Sequence, residues 1–340
     1  MKRNLRKTLR SVIALLLSAA LIALSLGGCG KRGEDMLMGG YAASDNVVNT
    51  DIGAMKPAAF APLLSEWFLC DITKDQMSTD YVFDAANANR KGSVFVIDRT
   101  DNKLLFGYRM FDAVYPASVT KLMTALVVLE HCDPKEVVTI SKTVAAMTRG
   151  STAELREGDL ITVYNLLIVL LILSANNAAL ALAEHVAGSE EEFVKLMNQE
   201  MDRLGANDTT FANASGLHAD RHQTTAFDMY VVYQECTKYA AFREIAKMTS
   251  GEYEYTNAAG EQCVRAYKTS NRFQTGKYPY PEYLTILGGK AGSTERAGFC
   301  QIEQVKSSET GKEYLLGIFF CETEEKLYTK MNELMETYCK

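Results

Sequence analysis

The stretch YPASVTKLMTAL, Tyr115 to Leu126, sets a serine and a lysine three residues apart, between a proline and an unbroken apolar run. Pro-Ala-Ser ahead of Leu122, Met123, Ala125, Leu126, Val127, Val128 and Leu129 is an ordinary helix start. The same residues also meet the needs of a nucleophile. Backbone N–H groups in a first helical turn have no intrahelical acceptor and sit at the positive end of the dipole, so the Ser118 N–H can help hold an oxyanion. Lys121, three positions on, lies over the same face within reach of the Ser118 hydroxyl. Apolar neighbours lower the pKa of its amine and fit it to act as a base. Ser-x-x-Lys spacing arises often by accident, so the rest of the chain must supply or refuse the other parts.

At 340 residues, 47% hydrophobic and 23% charged, the composition is that of an ordinary globular protein with one large core or two modest ones. The N-terminus differs. Lys2, Arg3, Arg6, Lys7 and Arg10 precede the apolar SVIALLLSAALIALSL, which ends at Gly-Gly-Cys29. That run is short for a spanning helix, which needs about 20 residues, and reads as a secretory signal over residues 1–28; an uncleaved membrane anchor is the alternative. The sequence LGGC, Leu26 to Cys29, resembles the lipobox of bacterial lipoproteins, which implies lipidation of Cys29 and a lipid-anchored, extracytoplasmic protein. Residues 1–33 are purely basic, and without them the formal charge goes from −6 to −13. So acidic a body argues against nucleic-acid or polybasic membrane binding. The cysteines after Cys29 are odd in number and show neither C-x-x-C nor metal-ligand spacing, so no metal site and no disulfide scaffold is expected.

Residues 29–62, rich in Gly, Ala, Asp and Asn without apolar period, read as a flexible spacer, and 63–340 as a single folded domain. SVFVID and KLLFGYR around RTDN predict a hairpin. The helix from Ser118 follows, then a buried helical segment over 162–187 whose LLIVLLIL is too short to cross a bilayer, and further helices over 189–204 and 226–247. QIEQVK and EYLLGIFFC predict a second hairpin turning near Thr310. EEKLYTKMNELMETYC places Leu327, Met331, Leu334 and Tyr338 on one helical face. The expected class is therefore α/β (α+β): an antiparallel sheet made from both ends of the domain, flanked by helices, with an all-helical subdomain inserted.

Two more stretches join Ser118. SANNAA, Ser174 to Ala179, interrupts an apolar segment and on its own is an ordinary helix N-cap. GGKAGST follows the strand-like YLTIL. It fails as a phosphate loop, which needs glycine where Leu284 stands, but as a strand with two glycines it lets a ligand backbone lie alongside. Together the three stretches resemble the S-x-x-K, S-x-N and K-[TS]-G motifs of the penicillin-recognising serine transpeptidases and acyl-hydrolases: Ser118 to Lys121, Ser174 to Asn176, and Lys290 to Gly292. PASVTKLMTALVVLE, TVYNLLIVLLILSANNAALALAEHV, LMNQEMDRLGANDTTFANASGLH and HQTTAFDM sharpen the resemblance to the D-alanyl-D-alanine carboxypeptidases, the low-molecular-weight penicillin-binding proteins. It runs from about Gly92 to the C-terminus.

That resemblance implies a hydrolase needing no cofactor, acting on peptidoglycan stem peptides ending in D-Ala-D-Ala and acylated by β-lactams. Ser118 would attack the penultimate D-alanine carbonyl with Lys121 as base. Ser174 would relay a proton to the leaving amine, and Asn176 would hold the substrate amide and the Lys121 region. Lys290, Gly292, Ser293 and Thr294 would bind substrate, Lys290 facing its carboxylate and the N–H groups of Ser118 and Ser293 forming the oxyanion hole. One residue departs from the pattern: Ala291 stands where the family carries a hydroxyl that helps bind the carboxylate, so reduced activity is expected. The sequence also ends after its terminal helix, where family members often continue into a β-rich domain with a membrane tail, and the lipid at Cys29 is expected to act as tether. A DD-endopeptidase, a class A-like β-lactamase and a weakened peptidoglycan-binding relative stay open as alternatives, although no E-x-x-L-N segment supplies the lactamase's glutamate. His218 and His222, four apart, lack a third ligand at metal spacing. His131 and His185 read as structural. Cys300 and Cys321 fall within one residue of facing register in the second hairpin and are expected as a possible pair.

Overall fold

The computed structural model describes residues 92–340; the signal segment, Cys29 and the spacer lie outside the described residues. In chain order the elements are β1 (Ser93–Asp98), β2 (Lys103–Tyr108), a 3-10 turn (Ala117–Thr120), α1 (Lys121–His131), β3 (Val137–Thr139), α2 (Lys142–Ala145), β4 (Leu160–Thr162) and α3 (Val163–Leu171). There follow α4 (Asn176–Ala187), α5 (Glu190–Leu204), α6 (Ala226–Cys236), α7 (Ala240–Ala246), β5 (Ser250–Thr256), β6 (Gln262–Lys268), β7 (Leu284–Thr294), β8 (Gly298–Ser307), β9 (Glu313–Cys321) and α8 (Glu324–Tyr338).

Among the described residues the main sheet runs β2-β1-β9-β8-β7, antiparallel throughout, so both ends of the domain build it as expected. Side chains alternate along each strand and divide its faces between two cores. Phe95, Ile97, Leu315 and Phe319 join the large core with α1, α3, α4 and α6. Val94, Val96, Leu316 and Ile318 face α8, whose Leu327, Met331 and Leu334 cover them. Each such side chain, fully buried, contributes roughly 1.5–3 kcal/mol. Phe95 opposes Gly317, where a Cβ would sit 2.2 Å from the Phe95 ring, so the glycine makes room for the aromatic. Helix starts are capped by side chains: Thr162, Ser189, Thr225 and Thr323 each accept from the backbone N–H three residues on. Gly188 and Gly205 end α4 and α5 at φ 77° and 70°.

Three sequence expectations change. The segment 162–187 is two helices, broken where Ser174 takes φ 59°, and 226–247 breaks at Thr237, whose hydroxyl donates to the Gln234 carbonyl while Arg243 binds the carbonyls of Thr237 and Lys238. The inserted region is not all-helical, because β3-β4-β5-β6 form a second antiparallel sheet. Its β5–β6 turn is built by Asn257, whose side chain accepts from the N–H groups of Ala259 and Glu261, with Gly260 at φ 87°. Finally, Cys300 and Cys321 do not pair. The β8–β9 ladder bulges at Phe320 (φ 62°), so Cys321 opposes Phe299. Cys300 falls in the large core and Cys321 in the α8 core, on opposite faces, both as free thiols.

Candidate active site

The helix start of the opening stretch is a 3-10 turn, with Pro116 as its cap and Ser118 inside it; the α-helix proper begins at Lys121. Ala117 takes φ 48°, a left-handed conformation that turns the chain into the site. Behind it Gly216 passes so close that a Cβ there would lie 1.9 Å from the Ala117 carbonyl oxygen. On the other side Gly292 of β7 approaches the Ser118 backbone, where a Cβ would lie 2.5 Å from the nitrogen. Only glycine lets the strand edge and the nucleophile's N–H meet at this spacing.

Lys121 is fully enclosed, and its Nζ lies 3.0 Å from Ser118 Oγ, 2.7 Å from Asn176 Oδ1 and 2.6 Å from the Ser215 carbonyl oxygen. Burial, and then the charge of Lys290, hold this amine well below the ordinary lysine value. A neutral amine has two donors and one lone pair. As an ammonium the amine donates to all three oxygens; once neutral, it keeps two donors for the carbonyl oxygens and turns its lone pair to the Ser118 hydroxyl, the one neighbour with a proton to give. The geometry thus holds the buried amine in hydrogen-bond contact with the Ser118 hydroxyl.

The break between α3 and α4 delivers the second motif. Ser174 stands in its left-handed conformation with Oγ 2.8 Å from Lys290 Nζ. Asn176, besides accepting from Lys121, donates from Nδ2 to the Arg149 carbonyl, and Asn177 clasps both the N–H and the carbonyl of Ala153. These amides pin the loop that carries Gly150 and Ser151 into the cleft wall. Lys290 also donates to the Ala291 carbonyl at 2.8 Å, and burial pushes its pKa down to about 7. An ammonium has three donors, of which these contacts use two.

The cleft itself holds about 380 Å³ and is lined by Ser118, Ser174, Asn176 and the β7 edge from Ala291 to Thr294. All the catalytic and substrate-binding residues expected from sequence within the described chain therefore meet here, apart from Lys121 and Lys290, which lie buried just beneath its surface. Sequence reasoning missed Arg272 and Ser270, which line the same cleft, and the Ser215 carbonyl. The Ser215 turn had a signal in Asn-Ala-Ser-Gly, since Asn213 Oδ1 accepts from the N–H groups of Ser215 and Gly216. Arg272 had none: it sits in an irregular loop before β7, held by its backbone N–H to Tyr328 Oη at 3.1 Å, with Nε 3.2 Å from Glu324. Glu324 is the one carboxylate among the described residues lining the cleft, and Arg272 and Lys277 both engage it.

The histidines four apart have separate roles. Buried His222 accepts from the Ala212 N–H at Nδ1, so Nε2 carries the proton and donates to Thr120 Oγ1 at 2.8 Å, inside the S-x-x-K turn. Burial, with lesser contributions from His218 and Lys121, pushes its pKa down to about 4, consistent with a neutral ring. His218 packs edge-on to Tyr115.

The family model described as D-alanyl-D-alanine carboxypeptidase (peptidase S11) matches residues 82–312, about two-thirds of the chain. D-alanyl-D-alanine carboxypeptidase DacF of Bacillus subtilis is 32% identical over 223 residues, 64% of this chain and 55% of that protein. The D-alanyl-D-alanine endopeptidase of Escherichia coli is 30% identical over 215 residues, 62% of this chain and 66% of that protein. The chain thus spans little more than half the length of the carboxypeptidases it matches. The crystal structure of the Streptomyces K15 DD-transpeptidase superposes with a TM-score of 0.65 at 22% identity, covering 72% of this chain and 94% of that one, which shows a shared fold. Matched by one family model from before β1 to the β8–β9 turn, with all three motifs inside the match, the chain belongs to the D-alanyl-D-alanine carboxypeptidase family of serine peptidases.

Proposed function

We propose that the protein is a serine D-Ala-D-Ala carboxypeptidase that trims the terminal D-alanine from peptidoglycan stem peptides through an acyl-Ser118 intermediate. The observation that carries this reading is the Lys121 amine, enclosed with two carbonyl oxygens and one hydroxyl. Ser118 gives its proton to Lys121 as Oγ attacks the penultimate D-alanine carbonyl. The oxyanion lies between the Ser118 N–H and the Ser293 N–H on the strand that Gly292 brings close. The Ser174 hydroxyl, held by Lys290, relays the proton taken by Lys121 to the leaving amine as the C–N bond breaks and D-alanine departs, and water then hydrolyses the acyl-Ser118 ester to free the serine. The terminal carboxylate meets Lys290, buried beneath the β7 edge beside Ser174, and Arg272, which lines the cleft. Deacylation of a bound β-lactam is expected to be slow, because Glu324, the cleft's carboxylate, is engaged by Arg272 and Lys277 and is not free to activate water. That favours a peptidase acylated by β-lactams over a β-lactamase.

Release of D-alanine from an acyl-D-Ala-D-Ala tripeptide by purified protein, with a labelled penicillin mapping to Ser118, tests the proposal; no D-alanine and no label at Ser118 would overturn it. Identity to an E. coli endopeptidase favours one second reading, cleavage of D-alanyl cross-links by the same site. Digestion of dimeric muropeptides separates the two. The basic, then apolar N-terminus ending at Cys29 supports export and lipid attachment at the outer face of the cytoplasmic membrane. Among the described residues no helix is long and apolar enough to cross a membrane. Mass spectrometry of the N-terminus decides, an intact unmodified Met1 being the contrary result.

A further inference from the structure

On the far side of the helical region from the cleft, three chemically different side chains from three segments converge. Cys132 caps the C-terminus of α1, Glu136 precedes β3 and His185 sits in the last turn of α4. Their Sγ, carboxylate oxygen and imidazole nitrogen all lie within 4.8 Å of one another. We propose that Cys132, Glu136 and His185 form a binding site for a zinc-like divalent cation, with water completing four-coordination, that ties α1 to α4.

The donor set is one sulfur, one nitrogen and one oxygen. Zinc accepts all three at about 2.0–2.3 Å, whereas magnesium and calcium prefer oxygen alone, so the chemistry selects a borderline-soft metal. The ligands are held from behind. Cys132 N–H donates to the Val128 carbonyl, and Glu136 N–H to the Asp133 carbonyl, which closes the intervening turn. Asp133 N–H donates to Glu136 Oε1 at 2.7 Å, fixing the carboxylate so that Oε2 meets His185 Nε2 at 3.0 Å. The Asp133 N–H, which lies outside the ligand set, orients the carboxylate before metal arrives. Glu136 and His185 are partly exposed, at 45% and 23% of their side-chain surfaces, which leaves an entry path.

When a divalent ion binds, the Cys132 thiol proton leaves to solvent, Sγ and the Glu136 carboxylate bind as anions, and His185 binds through its neutral ring. The pattern was illegible in sequence because the ligands are separated by three residues and then by forty-eight, with no repeated spacing.

The site's placement gives it a task. α1 begins at Lys121 and α4 at Asn176, the pair hydrogen-bonded in the cleft, while their opposite ends meet at Cys132 and His185. A helix of eleven residues is about 16 Å long, so the metal would brace the two helices without touching the reaction.

Purified full chain, stripped with chelator and titrated with Co²⁺, should give a thiolate-to-cobalt charge-transfer band saturating at one equivalent, displaced by Zn²⁺. Zinc should raise Tm and slow alkylation of Cys132 at least tenfold. Cys132→Ala should abolish the band and the Tm shift, and His185→Ala should weaken binding at least tenfold. Penicillin labelling of Ser118 in these variants reports that they have folded. A band that survives in folded Cys132→Ala, an alkylation rate indifferent to zinc, or no band at all would overturn the site.

Discussion

On the helical wall of the cleft, Lys121 is sealed from solvent and every polar contact of its amine is made with a fixed protein atom. On the strand wall, Lys290 keeps one donor in reserve, and Arg272 is 41% exposed and shares Glu324 with Lys277. In the proposed reaction the first wall is pre-organised for proton transfer before substrate arrives, and the second is completed by the substrate's anion. Losses should therefore be large and substrate-independent on the helical side, and moderate and carboxylate-dependent on the strand side.

The sharpest break comes from Lys121→Ala. Removing the base leaves Asn176 Oδ1 and the Ser215 carbonyl without their donor and Ser118 without a proton acceptor. Acylation by peptides and penicillins should fall together by about 10³-fold. Loss with peptide alone, and normal penicillin labelling, would show that the wall is not organised around this amine.

The pH profile probes the two walls at once. Lys121 must be neutral to accept the Ser118 proton, and burial and Lys290 hold its pKa well down, so kcat/KM should fall on the acid side as it protonates. Lys290 must be charged to meet the carboxylate, and its pKa stands at about 7 in the free protein. As pH rises above that value kcat/KM should decline, by up to about tenfold per unit. A bound carboxylate favours the ammonium, so the alkaline limb of kcat should lie higher than that of kcat/KM. Coincident limbs would mean that Lys290 does not face the substrate's charge.

Arg272→Ala should cost about tenfold in kcat/KM on a peptide with a free terminal carboxylate, the size of a partly solvated charged hydrogen bond, and almost nothing on the terminal amide. An equal loss on both substrates would make Arg272 a brace for Glu324 and the loop, with no role in recognition.

What the sequence made legible follows the same division. The S-x-x-K and S-x-N motifs are short, local patterns on helix starts, and their residues arrive where a turn of helix and a left-handed serine put them. The main sheet was legible too, because SVFVID and EYLLGIFFC carry enough apolar β-formers to need burial on two faces. The second sheet was not, since β3 and β4 are three residues each and pair only through tertiary contact. Asn257-Ala-Ala-Gly260 between SGEYEYT and QCVRAYK was a hairpin signal left unread. Arg272 could not be found because its value depends on a fold-level neighbour: Tyr328 of α8 fixes its backbone and Glu324 its guanidinium. Cys300 and Cys321 failed through a single bulge, which moved one residue's register and sent the two thiols to different cores.

Ala291 is where the two walls' logic can be sharpened most finely. Its ladder partner is Gln301, so its Cβ shares that residue's face of the sheet, toward α8, and it lines the cleft with Arg272 and Glu324. A threonine there would add a neutral donor to a cleft that Arg272 already lines with a charged one. Ala291→Thr should therefore raise kcat/KM on free-carboxylate peptides only severalfold, less than the tenfold to hundredfold that a carboxylate-binding hydroxyl is worth alone. Ser293 lies on the same face but about 7 Å further along the strand, too far to occupy the same position. The decisive measurement is a double-mutant cycle. If Arg272 compensates for the missing hydroxyl, Ala291→Thr should gain markedly more in the Arg272→Ala background than in the parent. Equal gains in both backgrounds would mean that the hydroxyl and the guanidinium serve different parts of the substrate, and that the exposed end of the strand wall is two sites rather than one.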